Sequence, residues 1–196
     1  TRTAPAATTV APATVNRLTA DDDLFLKLHS LYGNALVNQL AWRFDQPLPH
    51  SVLTRLHAHL AHGFLARRVQ PVRLPFARPY WLPATDSLPL DQDTEPVAEA
   101  DVLDWFADRS RVDFDPLTGQ VWQLSAAPTE SGGTLVSLVT SHVVSDGGAV
   151  LFAVGDALAR LAADEKPDRT ASSGQLVGNT PRNPFGANIS DATTQL

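Results

Sequence analysis

Residues Leu135 to Gly148 read LVSLVTSHVVSDGG, and Val150, Leu151, Val154, Leu158 and Leu161 follow at three- and four-residue intervals. Leu135 to Thr140 is apolar on both faces, as a strand at the centre of a sheet is. The later spacing belongs to a helix. The order is therefore strand, tight loop, helix, with the loop Ser141-His142-Val143-Val144-Ser145-Asp146-Gly147-Gly148 between them. A His at the exit of a buried strand is held by the sheet while its ring projects where loops and helix N-termini converge. A neutral imidazole there can take a proton from an alcohol or amine that attacks a carbonyl. Asp146 lies four residues on, so one turn of the loop brings both side chains to one side. Asp146 or Ser145 is also a natural N-cap for the helix. Gly147 and Gly148 leave the loop uncrowded for unusual backbone angles or the close approach of a substrate.

Working back from the loop, Val121 to Ala127 alternates, with Trp122, Leu124 and Ala126 on one face, and Thr129 to Gly133 turns the chain. A helix is expected near Ala98 to Arg109 from Val102, Trp105 and Phe106, with Pro96 near its start. Arg67 to Pro83 is proline-studded and reads as short extended pieces or an edge strand. Val52, Leu53, Leu56, Leu60 and Phe64 mark an amphipathic helix, and Ala35 to Phe44 a strand closed by Pro47 and Pro49. Leu18 to Leu31 opens with Thr19 and Asp21 to Asp23, cap and first-turn residues of a further helix. Residues 1–16 read as a linker-like arm rich in Ala, Pro and Thr, and 164–196 as an irregular crossover tail. The fold expected for 17–163 is an α/β two-layer sandwich: a mixed, mainly antiparallel sheet with helices on one face.

Composition narrows the function. The 196 residues carry 15 Lys+Arg against 21 Asp+Glu, a net charge of −6, with no basic cluster larger than Arg67-Arg68, which argues against nucleic acid as a partner. No apolar run reaches the roughly 18 residues of a membrane span. With no Cys there is no disulfide framework, thiol nucleophile or thiolate metal site. The chain has no Met, so Thr1 is expected to follow processing or to lie within a longer sequence. His57, His59 and His62 resemble a metal cluster, but at about 100° per residue His57 points away from the other two, and two ligands do not make a site. No metal is expected. Ser141, His142, Ser145 and Asp146 supply the residue types of a Ser-His-Asp triad but lie too close in sequence to converge as one does.

His142-Val143-Val144-Ser145-Asp146-Gly147 resembles the H-x-x-x-D-G motif of the CoA- and carrier-protein-dependent acyltransferases. These include chloramphenicol acetyltransferase, peptide-synthetase condensation domains, polyketide-associated acyltransferases and bacterial wax ester synthases. A match of this form is expected about 0.03 times by chance in this composition. Leu18 to Leu26 (LTADDDLFL) is similar to the L-S/T-x-x-D-x-x-F-L opening of wax-ester-synthase-like members. Asp113-Phe114-Asp115-Pro116 through Trp122-Gln123-Leu124 is similar to the strand pair ahead of the motif.

The resemblance implies the N-terminal lobe of a two-lobed acyltransferase. His142 would be the general base, Asp146 would hold the loop through an arginine, and Gly147 would give a tunnel room, with Ser141, Ser145 and Gly148 as neighbours. Many members have two consecutive His; here Ser141 stands in the first place, and the base role falls on the second. The second lobe, with a D-F-G-W-G-like segment absent from this chain, would be a separate chain, a self-copy or removed sequence. The donor would be acyl-CoA or a phosphopantetheinyl carrier protein, with no tightly bound cofactor, no metal and a cytoplasmic location. A homotrimer of the chloramphenicol acetyltransferase kind and a non-catalytic carrier-docking lobe are the alternatives.

Overall fold

The computed structural model describes residues 16–33, 36–84, 86–168 and 183–195. Helix α1 (Ala20–Tyr32) starts with a capping box: the Thr19 hydroxyl accepts from the Asp22 amide while the Asp22 carboxylate accepts from the Thr19 amide. Gly33, in the left-handed region at φ 65°, ends it. Strand β1 (Val37–Phe44) leads to α2 (His50–His62), and the proline-rich stretch supplies β2 (Arg67–Gln70) and β3 (Tyr80–Pro83). Next come β4 (Asp91–Gln92), a 3₁₀ turn (Glu99–Asp101), α3 (Val102–Arg109), β5 (Trp122–Pro128), β6 (Thr134–Ser141) and α4 (Gly147–Ala162).

The main sheet has the order β1-β6-β5-β4, antiparallel except for β4 along β5, while β2 and β3 form a separate antiparallel pair. This is the expected mixed, mainly antiparallel α/β architecture. Every residue of β6 is buried. Its even-numbered side chains, Val136 and Leu138, share one core with Trp122, Leu124 and Ala126 of β5, Leu53 and Leu60 of α2, and Val150, Val154 and Ala157 of α4. On the other face Leu135 and Ala127 meet Trp105 and Phe106 of the short α3. Turning β5 into β6 requires Gly133, because a Cβ there would sit 2.2 Å from the Phe44 carbonyl oxygen.

One expectation falls almost wholly outside the described residues and one changes. The arm over residues 1–16 lies outside the described residues except for Asn16, whose carbonyl accepts from the Trp81 amide at 2.8 Å. The tail over 164–196, expected to be irregular, contains an eleven-residue helix, α5 (Pro184–Thr194). Asn183 caps it and Pro184 opens it, a start signal present in the sequence. Tertiary bonds hold it. Burial by itself would raise the Asp191 carboxyl, but hydrogen bonds from the Arg78 side chain and amide, with the charges of Arg17 and Arg78, bring it below the usual carboxylate range. Arg17 also donates to the Ala187 carbonyl and to Asn188.

The three histidines of α2 part company. His57 meets the Leu88 carbonyl at 2.8 Å and tilts against Trp122, while the Nδ1 of His62 meets the Ala58 carbonyl at 2.7 Å. His59 is buried between α2 and α4, with neither ring nitrogen bonded among the described residues. Burial lowers its pKa, and the charges of Arg160 and Arg55 lower it further against the weaker pull of Glu165 and Asp156. The folded state therefore binds a proton less readily than the unfolded chain, whose histidines titrate near about 6.5, so stability falls as pH drops below that value. His59→Leu should raise stability at pH 7 by about 1 kcal/mol, because it removes two unbonded buried nitrogens. It should also shrink the loss between pH 7 and 5; denaturant melts at both values check this, and an unchanged loss would mean that His59 titrates normally.

Candidate active site

Strand β6 delivers the loop and the sheet fixes its first residues. The Ser141 amide donates to the Val121 carbonyl at 2.8 Å, and the His142 amide donates to the Leu36 carbonyl at 2.7 Å. Ser141 to Val144 then make one turn closed by the Val144 amide on the Ser141 carbonyl. Val143 and Val144 point into the core. A turn buried this deeply must find protein partners for its carbonyls. Asn38 donates its amide to the Ser145 carbonyl at 2.7 Å, Arg67 donates to the Val144 carbonyl, and the Ser145 hydroxyl donates to Thr140 at 2.9 Å.

Arg67 is itself buried, its guanidinium lying 4.1 Å from the Phe64 ring centroid and 4.2 Å from that of Trp81. Burial pushes its pKa down to about 10, and the negative charges of Asp22 and Asp146 work against that fall. It makes no bond to Asp146, the carboxylate expected to hold the loop through an arginine. Its bond goes to the loop backbone, whereas the Asp146 carboxylate accepts from the Ala149 amide at 2.7 Å and caps α4. Asp146 is thus the N-cap the sequence allowed for.

The loop, the start of α4 and the first turns of α1 enclose a pocket of about 360 Å³. Its wall includes His142, Ser145 and Asp146 from the loop, Arg67, and Asp21, Asp22 and Phe25 from α1. Of the residues singled out in the sequence, His142, Asp146 and Ser145 meet here. Ser141 is buried in the sheet, its hydroxyl oxygen accepting from the Val143 amide. Gly147 and Gly148 are exposed, and a Cβ at Gly147 would touch nothing within 4 Å among the described residues. The imidazole of His142 packs on the Phe25 ring with centroids 4.0 Å apart and planes inclined by 32°. Its Nδ1 is buried without a hydrogen-bond partner among the described residues, and Nε2 is not buried in that way. No group of three or more metal-ligating side chains occurs among the described residues.

No protein-family model matches the sequence, and no curated protein matches it. Solved structures do match the fold. The first condensation domain of the calcium-dependent antibiotic synthetase superposes with a TM-score of 0.62 at 19% identity, over 84% of this chain and 42% of that one. The X-domain from teicoplanin biosynthesis gives 0.64 at 17% identity, over 95% and 39%. The starter condensation domain of rhizomide synthetase gives 0.63 at 12%, over 94% and 45%. With its strand, loop and capped helix in place, the chain shares its fold with these solved condensation domains and spans less than half the length of the structures it matches.

Proposed function

We propose that this lobe transfers an acyl group from a thioester to an alcohol or amine, with His142 as general base. The observation that carries the reading is the setting of His142: backbone fixed by the sheet, Nδ1 buried, and ring open to a pocket where α1 and α4 converge. The acceptor O–H or N–H would bond to Nε2. As the oxygen or nitrogen attacks the carbonyl carbon, its proton passes to Nε2, the new C–O or C–N bond forms, and the C–S bond breaks. The proton then goes to the departing thiolate, which returns the imidazole to its neutral form. Such a base contributes about 10²–10⁴-fold in rate. Asp146 serves by capping α4, and Arg67 by holding the Val144 carbonyl, so that the loop keeps one shape.

The donor in this reading is acyl-CoA or a phosphopantetheinyl carrier protein, which brings its own thioester arm, so no tightly bound cofactor takes part. A second lobe, as a separate chain, a self-copy or the remainder of a longer sequence, completes the site. Two observations support a further surface. On α4 the exposed positions Leu151, Phe152, Gly155, Leu158 and Ala159 form an uncharged stripe. At Gly147 this lobe has no packing need for glycine.

His142→Ala should cut transfer from an acyl-CoA or acylated carrier protein by about 10²-fold or more, measured with the second lobe present. Full activity in that variant would overturn the mechanism. A wild type that binds the carrier protein without transfer, and a variant that binds as well, would favour the docking reading. Gly147→Ala sits at the first turn of a helix and should change stability by less than about 0.5 kcal/mol while lowering transfer. Equal transfer rates would show that nothing closes over that position.

A further inference from the structure

We propose that Phe25 is the positioning residue of His142, fixing the imidazole by ring packing where a hydrogen bond would ordinarily do so. The inference rests on the reading of His142 as base. An imidazole that takes a proton from a bound substrate must be held in one orientation, and the usual device is a hydrogen bond to its other nitrogen. His142 lacks one: its buried Nδ1 has no partner among the described residues. Among the polar side chains near it, four are committed elsewhere, Thr19 and Asp22 bond each other, and Asp21 makes no hydrogen bond to the ring among the described residues. Asp146 accepts from the Ala149 amide, Asn38 donates to the Ser145 carbonyl, Ser145 donates to Thr140, and Arg67 donates to the Val144 carbonyl.

The backbone bond from His142 to the Leu36 carbonyl anchors the main chain and leaves the two side-chain torsions free. The Phe25 ring is the group that lies against the imidazole face, at 4.0 Å and 32°. Aromatic pairs at this separation have a preferred geometry as well as buried area. Phe25 is seated near the capped start of its helix. Its helix begins in the Thr19–Asp22 capping box, Leu18 is wholly buried just before it, and Leu26 packs on the core next to Phe25. Phe25 is half-buried and lines the pocket with His142, so its ring does more than fill the interior. An aromatic face also suits the imidazolium formed during transfer.

The test compares Phe25→Met, which keeps bulk without a ring, with Phe25→Tyr, which keeps the ring. In the full chain labelled with ¹³C and ¹⁵N histidine, the His142 ring resonances are identified by their loss in His142→Ala. Wild type and Phe25→Tyr should each give one narrow ring signal with cross-peaks to α1. Phe25→Met should give a broadened or doubled signal while its melting temperature shows that it is folded. With the second lobe present, Phe25→Met should lower kcat about tenfold, leave the acceptor KM within about threefold, and regain activity as Phe25→Tyr. A His142 ring as ordered in Phe25→Met as in wild type would overturn the proposal, whatever the activity. Full transfer by His142→Ala would instead overturn the catalytic reading, with the ring-order result standing apart from it. A Phe25→Met chain that unfolds moves the decision to Phe25→Tyr, whose ring signal must then match wild type for the proposal to survive.

Discussion

A strand buried along its whole length cannot end in a polar loop unless the protein itself supplies the hydrogen bonds that water would have made. That requirement governs the end of β6. The carbonyl of Val144 is met by Arg67, that of Ser145 by Asn38, and the Ser145 hydroxyl by Thr140. Bringing a guanidinium so far from water is costly, as its lowered pKa records. The faces of Phe64 and Trp81 on either side of it, and a carbonyl at its tip, offset that cost. Each partner comes from a different element: Arg67 from β2, Asn38 from β1, Thr140 from β6 itself. The loop keeps its shape only while the small sheet, the edge strand and the central strand are all assembled.

Much of this was legible because it is local. The strand, loop and helix around His142 follow from hydrophobic period, and the capping box of α1 from Thr19 and Asp22 three residues apart. The N-cap role of Asp146 also rests on neighbours in the chain. What escaped depends on distance along the sequence. Arg67 and Val144 are 77 residues apart, and nothing in a proline-studded stretch marks one of two adjacent arginines as the buried one. The contact between Phe25 and His142 spans much of the lobe. Phe25 was visible as part of a motif and as an apolar helix position, but its partner was not.

The tail shows the opposite failure. Asn183 and Pro184 are a sound helix start, and Phe185, Ile189 and Ala192 keep helical spacing. The prolines and glycines before them hid the signal. What gives α5 its place is the buried carboxylate of Asp191 among Arg17 and Arg78, residues more than a hundred positions earlier in the chain. Helical angle sets His57 apart from His59 and His62, yet it gives no hint that His59 has no hydrogen-bond partner among the described residues.

The walls of the pocket differ in how firmly they are built in. Helix α1 has no buried residue of its own and touches the core through Phe25 and Leu26, whereas β6 is buried at every position. In amide hydrogen exchange such elements belong to different cooperative units: the strand exchanges with global unfolding, the helix through a smaller opening of its own. The loop bearing His142 should therefore keep its amides protected longer than those of the helix facing it, whose capped first turn seats Phe25.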